Sequence, residues 1–135
     1  MSLGFEKAGF EIKAAFDHWG PALSVYRQNF NHDAHEVDLG SEEAVQEISC
    51  HQPDLIIGGP PCQDFSSAGP NNFTPSRATL IGAFVGIVAS TSPKYFVMEN
   101  VPRARISGIY KSAVSELRKH GYGLTESILD ASYFG

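Results

Sequence analysis

Two short apolar runs constrain the fold of this chain most, DLIIGG at 54–59 and KYFVMEN at 94–100. A continuous apolar run bounded by glycine or polar residues is typical of a strand covered on both faces, as in a parallel sheet. Three further strands are predicted at EIKAAFD (11–17), HEVDL (35–39) and LTESILDAS (124–132). The chain therefore has enough predicted strands to form one parallel sheet.

Helical patterns lie between these strands. Gly20-Pro21 opens the first helix, because proline in the first turn of a helix loses no hydrogen bond. Serine side chains are placed to cap two later helices. The predicted helices run from Gly20 to about Asn29, from Ser41 onward, from Ser76 to a stop at Pro93, and from about Ala104 to a stop at Gly121.

The alternation of strand and helix predicts an α/β fold, a doubly wound parallel sheet with its functional groups at the carboxyl ends of the strands. A length of 135 residues is enough for one domain. No apolar run is long enough to cross a bilayer, and the N-terminus has no signal-peptide pattern. Two cysteines are too few for a disulfide framework, which favours the reducing cytoplasm. We therefore expect a cytoplasmic protein, and the lack of a long apolar run predicts no membrane partner.

The net charge of −5 argues against a chain that is basic over its whole surface, as a sleeve around nucleic acid would be. A local basic rim could still contact phosphates, and the plainer alternative is a set of solvated cations. Its members would be Arg77, Arg103, Arg105 and Lys111.

Asp17, Cys62 and Glu99 stand at or just beyond the ends of three predicted strands. Because the carboxyl ends of parallel strands share one edge of a sheet, we expect these side chains to lie near one another. A protonated Glu99 could donate a hydrogen bond to a ring nitrogen, or it could only cap the following helix. Asp17 could accept hydrogen bonds from a ribose, or it could only cap the end of its strand.

Cys62 follows a stiff turn, GGPP at 58–61. Two successive prolines fix φ and lower the cost of holding the sulfur in one place, while glycines allow a tight turn and a close ligand. A thiol attacks only as its thiolate, so a catalytic cysteine needs local stabilisation of the anion. The alternative is a structural cysteine in a rigid turn. Cys50, within a helical pattern, is expected to fill the core.

His32 and His35 form an HxxH pair, but no cysteine or acid cluster completes a metal site at recognisable spacing. We therefore expect no metal. Asp38, at the end of the predicted strand 35–39, could accept a hydrogen bond from an adenine amino group.

Together these motifs resemble those of the DNA (cytosine-5)-methyltransferase family of the restriction-modification type. GGPPCQDFSSAG (58–69) resembles the family's nucleophile motif and MENV (98–101) its glutamate motif, with 37 positions between Cys62 and Glu99. Weaker matches extend the resemblance through nearly the whole chain, at GFEKAGFEIKAAFDHW (4–19), VYRQNF (25–30), VDL (37–39) and SRATLIGAF (76–84).

The resemblance implies a Rossmann-like fold that binds S-adenosylmethionine without a metal, acts on double-stranded DNA, and works in the cytoplasm with a bacterial or phage origin. Cys62 and Glu99 would be the catalytic residues. The cofactor residues would be Asp17 at the ribose, His18 beside the adenine, Asp38 and Leu39 on the side of the adenine amino group, and Thr79, Leu80 and Pro60 near the methionine end. The substrate residues would be Pro61, Gln63, Ser66, Asn100 and Val101.

By the same resemblance, the reaction is methylation of carbon 5 of a cytosine that has been flipped out of the duplex. The Cys62 thiolate would add to carbon 6, Glu99 would hold ring nitrogen 3, and the resulting enamine would attack the methyl group. The stiff loop would hold the sulfur about 3–3.5 Å from the ring before attack. Extrusion of the base would cost on the order of a few kcal/mol, and segment 66–72 would close over it.

The sequence departs from the family pattern at both ends. Only Gly4-Phe5 remains of the region of the glycine-rich cofactor loop, and the C-terminal arginine motif and the target-recognition domain are absent. Residues 1–135 would therefore be a partial catalytic domain, and missing segments or a second chain would be needed to complete its fold. The 135-residue chain alone is expected to show no measurable methylation. The alternatives are a related enzyme acting on tRNA, a non-catalytic remnant that only binds, and a thiol redox protein that uses Cys62.

Overall fold

The computed structural model of the chain describes residues 1–61 and 75–133, with only the backbone described at 75–79. The helices are α1 (Ser2–Lys7), α2 (Gly20–Asn29), α3 (Glu42–Cys50), α4 (Pro75–Thr91) and α5 (Gly108–Lys119). The strands are β1 (Ala14–Asp17), β2 (Asp33–Glu36), β3 (Leu55–Gly58) and β4 (Tyr95–Met98). Short 3-10 helices cover Pro102–Ile106 and Ala131–Tyr133. The described chain is a mixed α/β protein, as the alternation of patterns predicts.

The four strands form two small parallel sheets, one of β1 with β2 and one of β3 with β4. The residue pairs at the ends of the two ladders are Ala14 with Asp33, Asp17 with Glu36, Leu55 with Tyr95, and Gly58 with Met98. No ladder joins β1 to β3 within the described residues. Parallel pairing is therefore confirmed, but the described strands form two sheets rather than one.

The main core lies between the β3–β4 sheet and the helices α4 and α5. The predicted apolar stripe of α4 is buried against α5 and against one face of the sheet, through Ile81, Phe84, Val85, Val88, Ala113, Leu117, Ile56, Phe96 and Met98. Side chains alternate between the faces of a strand, so Tyr95 and Val97 point the other way. They are 69% and 41% exposed, which shows that this second face is largely uncovered within the described chain.

The β1–β2 sheet packs against α2, and Phe16 and His35 on one of its faces lie near α3. Phe16 stacks on His35, and His51, just after α3, lies 5.7 Å from the Phe16 ring. α3 also packs against α4 and so holds the two sheets together. No helix among the described residues is both long and apolar enough to span a membrane.

Local signals set several helix ends as predicted. The Ser41 Oγ accepts a hydrogen bond from the Ala44 N–H at 3.2 Å, and Pro21 lies in the first turn of α2. After α5, Gly121 adopts a φ of +88° and donates its N–H to the Arg118 carbonyl. Glycine adopts this left-handed conformation without a Cβ penalty, which is why the helix stops there.

Two strand boundaries differ from the prediction, and one predicted strand is wrong. β1 covers 14–17 of the predicted 11–17. β2 lies at 33–36 instead of 35–39, because its pairing with β1 sets its register. Residues 124–130 form no strand, and no described strand lies beside β4 to pair with them.

Two helix starts and one cysteine also differ from the prediction. α5 begins at Gly108 with Ser107 as its cap, since the residues predicted to open it form a 3-10 helix instead. α4 begins at Pro75, so Ser76 lies inside this helix rather than capping it. Cys50 is exposed and does not fill the core, because α3 buries Ala44 and Ile48 instead.

Candidate active site

The carboxyl ends of β3 and β4 place Glu99 beside the turn that leads to Cys62. The Glu99 N–H donates to the Gly58 carbonyl at 2.9 Å, which extends the ladder one residue beyond β4. A Cβ built on Gly59 would lie 3.5 Å from the Glu99 Oε2. The carboxyl group of Glu99 therefore lies against the turn. Because Glu99 is exposed, a ligand can reach this group.

Asn100 ties the loop after β4 to the loop after β3. Its Nδ2 donates to the Pro60 carbonyl at 3.2 Å, and its Oδ1 accepts from the Val101 N–H at 2.9 Å. Asn100 and Pro60 are half-buried, whereas Pro61 and Val101 are exposed. Both ends of the Asn100 amide are therefore engaged within the chain, a positioning contact that the sequence did not reveal.

Gly58 ends β3 at a place where no side chain fits. A Cβ at this position would lie 2.5 Å from the Phe84 Cε2 and 2.8 Å from its Cδ2. Phe84 belongs to α4 and to the main core. The glycine therefore allows α4 to approach the end of β3, a packing role added to the turn-forming role that the sequence predicts.

The carboxyl ends of β1 and β2 hold a second group of predicted residues, which begins with Asp17. The Asp17 Oδ1 accepts from the Trp19 N–H at 2.9 Å and lies 3.5 Å from the His18 Nδ1. Its Oδ2 has no hydrogen bond to any described residue. One carboxylate oxygen thus holds the start of α2, and the other can accept from a ligand.

Asp38 lies at the same edge, two residues beyond the end of β2. The Val37 N–H donates to the Asp17 carbonyl at 3.0 Å, which connects the two strand ends. The Asp38 Oδ1 accepts from the Gly40 N–H at 2.9 Å. Asp38 and His18 are exposed, and Leu39 is half-buried. The four residues predicted for the ribose and adenine therefore share one sheet edge.

Most of the remaining predicted site residues lie in the part of the chain that the structure does not describe. Cys62, Gln63 and Ser66 lie there, together with the side chain of Thr79. Leu80, the first residue of α4 with a described side chain, is half-buried. The meeting of Cys62 with Glu99 stays a prediction.

The predicted basic rim is only partly available for phosphates. Arg105 Nε pairs with Glu126 Oε2 at 2.8 Å, which favours the plainer interpretation for this arginine. Burial, followed by the neighbouring Glu126 carboxylate, raises the pKa of Tyr110 beside this pair. Arg103 and Lys111 are exposed, and the Arg77 side chain lies outside the described residues.

A cavity elsewhere in the molecule contains none of the predicted site residues. It has a volume of about 410 Å³ and lies around the amino end of β2, lined by Arg27, Phe30, Asn31, His32, Asp33, Ala34 and His35. Among the residues that the structure describes, no three His, Cys, Asp or Glu side chains are placed to hold a metal ion.

Comparison with known proteins agrees with the chemistry of these strand ends. The C-5 cytosine-specific DNA methylase family matches residues 1–135. The Type II methyltransferase M.HindV of Haemophilus influenzae is 52% identical over 136 residues, and the Type II methyltransferase M.HgiDI of Herpetosiphon aurantiacus is 53% identical over 136 residues. Both alignments cover 100% of this chain.

The chain spans only part of these relatives, 45% of M.HindV and 44% of M.HgiDI. A third relative, the Type II methyltransferase M.HgiGI of Herpetosiphon aurantiacus, is 54% identical over 114 residues, which cover 84% of this chain and 90% of that protein. The resemblance carried by GGPPCQDFSSAG and MENV is thereby confirmed. The chain belongs to the C-5 cytosine-specific DNA methylase family.

Proposed function

We propose that this chain carries the catalytic centre of a DNA cytosine-5 methyltransferase, in which Cys62 and Glu99 act on one flipped-out cytosine. One observation carries the proposal: the Glu99 carboxyl group lies against Gly59, in the turn that leads directly to Cys62. The hydrogen bond from Asn100 to Pro60 holds that turn against the end of β4. Membership of the family supports the reaction class.

Each of the two catalytic residues has a distinct task. The Cys62 thiolate forms a bond to carbon 6, and the electron pair of the 5,6 double bond moves to carbon 5. Glu99 forms a hydrogen bond with ring nitrogen 3 and stabilises the adduct protonated there. S-adenosylmethionine, when bound, supplies an electrophilic methyl group at carbon 5. Loss of the carbon 5 proton to solvent then restores the double bond and expels the sulfur as thiolate.

The edge of the β1–β2 sheet fits the adenosine part of S-adenosylmethionine. The Asp17 Oδ2 is available to a ribose hydroxyl, and the exposed Asp38 can accept from an adenine amino group. His18 and Leu39 would flank the adenine, and Pro60 and Leu80 would border the methionine end. In this proposal the fold is Rossmann-like, without its first strand and glycine-rich loop, and residues 1–135 are a partial catalytic domain.

The proposed DNA contacts lie at the carboxyl end of the β3–β4 sheet. Pro61, after β3, and Val101, after β4, are both exposed, and in this proposal they touch the extruded base. Gln63 and Ser66 would also contact the base, together with Asn100, whose side-chain amide already bonds to Pro60 and Val101. Double-stranded DNA is the proposed substrate, and tRNA is the alternative that the test must separate.

The test is a chimera in which this chain replaces the matched region of M.HindV. We expect the chimera to transfer labelled methyl groups to duplex DNA and not to tRNA, and we expect Cys62→Ser to abolish the transfer. Cys50→Ser is the matched control, because Cys50 is an exposed cysteine on α3. A folded chimera that methylates only tRNA, or neither nucleic acid, contradicts the proposal. The 135-residue chain alone is expected to show no measurable methylation.

A further inference from the structure

Charge is divided unevenly along the carboxyl ends of the strands. Around the β1–β2 sheet this edge is acidic. Its carboxylates are those of Asp17, Glu36, Asp38, Glu42 and Glu43. Between residues 14 and 50 the only lysine or arginine of the chain is Arg27. The Arg27 Nη2 donates to the Ala34 carbonyl in the amino half of β2, so this cation does not offset the carboxylates at the opposite edge.

Basic residues follow the carboxyl end of β4 instead. Arg103 and Arg105 lie on the 3-10 helix Pro102–Ile106, and Lys111 lies near the start of α5. All three are exposed. The Arg105 Nε pairs with the Glu126 Oε2 at 2.8 Å, whereas Arg103 and Lys111 form no ion pair with any described residue. Two of the three cations are therefore available to an anion.

Backbone hydrogen bonds fix this basic segment beside the candidate active site. The Ala104 N–H donates to the Val101 carbonyl at 2.9 Å, and Ala104 is buried, so the 3-10 helix is anchored in the protein. The Lys111 N–H donates to the Ser107 carbonyl at 3.2 Å. Arg103 is two positions after Val101, so their Cα atoms lie at most about 7.6 Å apart. Arg103 is therefore close to a residue that is proposed to touch the extruded base.

We propose that Arg103 and Lys111 bind backbone phosphates of the DNA beside the extruded cytosine, while the acidic edge keeps the duplex away from the β1–β2 sheet. This inference rests on the proposed function, because it orients the duplex around a base held at Glu99. Lysine and arginine side chains that neutralise phosphates supply most of the sequence-independent affinity for DNA, and like charges repel. The DNA strand therefore crosses the 3-10 helix and the start of α5.

The net charge of the chain makes a local contact necessary. At a net charge of −5 the chain as a whole repels a phosphate backbone, so attraction must come from cations grouped at one place. Arg105 adds little to this attraction, because the Glu126 carboxylate already compensates its charge. Two arginines that are only two positions apart therefore have different roles, Arg103 in binding DNA and Arg105 in holding the segment around residue 126.

The salt dependence of binding tests the phosphate contacts in the M.HindV chimera, with the duplex that it methylates. Arg103→Ala and Lys111→Ala are each expected to reduce the slope of log affinity against log salt by about 0.9, and to weaken binding about five- to tenfold at about 0.1 M salt. The matched control is Arg118→Ala, which removes an exposed arginine at the other end of α5 and should change neither quantity. Equal losses in Arg103→Ala and Arg118→Ala overturn the proposal.

Two double variants test the other charges. Arg105→Ala combined with Glu126→Gln removes a whole ion pair, and we expect it to leave the salt slope unchanged. Glu42→Gln combined with Glu43→Gln removes two carboxylates of the acidic edge, and we expect duplex binding at low salt to strengthen about twofold or more. A reduced slope in the first variant, or no gain of affinity in the second, contradicts the proposal.

A neutral phosphate analogue locates the contact. The duplex carries uncharged methylphosphonate at the phosphates that flank the methylated cytosine. Arg103→Ala should weaken binding to the ordinary duplex but make little further difference on the modified one, because the contact is already lost there. The full loss on both duplexes contradicts the proposal. If the chimera still methylates DNA when these binding tests fail, only this inference is overturned, whereas a folded chimera without methyl transfer contradicts the proposed function itself.

Discussion

The side-chain amide of Asn100 donates to the Pro60 carbonyl at 3.2 Å, across 40 positions of sequence. Asn100 directly follows Glu99, and Pro60 stands two positions before Cys62. The hydrogen bond therefore joins the two loops that hold the proposed catalytic residues. A change at Asn100 should alter the relative position of these residues more than it alters the fold.

Asn100→Ala in the M.HindV chimera is expected to lower the rate of methyl transfer about five- to tenfold, since one hydrogen bond contributes about 1 kcal/mol. The matched control is Asn29→Ala, which removes the bond from Asn29 Nδ2 to the Val25 carbonyl at 2.7 Å on α2. Labelled-methyl assays and thermal unfolding of both variants check this. Equal methylation rates in the two variants would count against the positioning role.

Gly58→Ala is expected to lower the free energy of unfolding by about 1–3 kcal/mol, because Phe84 must move away from the new methyl group. The control is Gly82→Ala on α4, where an added Cβ meets nothing within 4 Å and alanine favours the helix by up to about 1 kcal/mol. Urea denaturation measures both. Adding Phe84→Leu to Gly58→Ala should recover part of the lost free energy of unfolding. If Gly58→Ala alone leaves the free energy of unfolding unchanged, the packing role of Gly58 is refuted.

Ser107→Ala is expected to lower the free energy of unfolding by about 1 kcal/mol, because Ser107 Oγ accepts from the Tyr110 N–H at 3.1 Å and caps α5. Ser112→Ala changes an exposed serine inside the same helix and should leave stability unchanged or slightly higher. Urea denaturation of both variants checks the cap. The same loss in both would show that Ser107 has no special role.

Features set by residues close in sequence could be predicted. β1 ends at Asp17, and Glu99 is the first residue after β4, because each acidic residue directly follows a short apolar run. The cap at Ser41 and the stop at Gly121 also depend only on local backbone chemistry. These local signals were enough to find the strand ends that form the candidate site.

Features that depend on a distant partner could not be predicted. The segment 124–130 has a strand pattern, yet Ile128 and Leu129 are 64% and 75% exposed and no described neighbour pairs with it. Phe84 packing on Gly58 depends on how α4 meets β3. α1 was not predicted, because its six residues are too few to show a helical period and none of them is buried.

The surroundings of the Tyr122 hydroxyl predict how the free energy of unfolding depends on pH. Its hydroxyl donates to the Pro93 carbonyl at 2.7 Å, and burial raises its pKa. A folded pKa above the unfolded value of about 10 gives a stabilisation that is complete below that value and is lost as pH rises through the folded pKa. The free energy of unfolding should therefore fall more steeply as the pH rises above about 10 in the parent chain than in Tyr122→Phe.

The control for this pH dependence is Tyr133→Phe, because Tyr133 is 84% exposed. It should follow the parent chain at every pH when unfolding in urea is measured. If Tyr122→Phe also follows the parent chain, the burial of the Tyr122 hydroxyl does not control the loss of stability.

The most direct test of the account is covalent trapping on duplex DNA in which 5-fluorocytosine replaces cytosine. The reaction is run with S-adenosylmethionine, because only after methyl transfer does carbon 5 carry a methyl group and fluorine with no proton to lose. The adduct between sulfur and carbon 6 then cannot collapse by elimination. We predict a protein–DNA complex that survives denaturing electrophoresis for the M.HindV chimera and its Cys50→Ser variant, and none for Cys62→Ser. An adduct that persists in Cys62→Ser, or its absence in a folded parent chimera, would contradict the account.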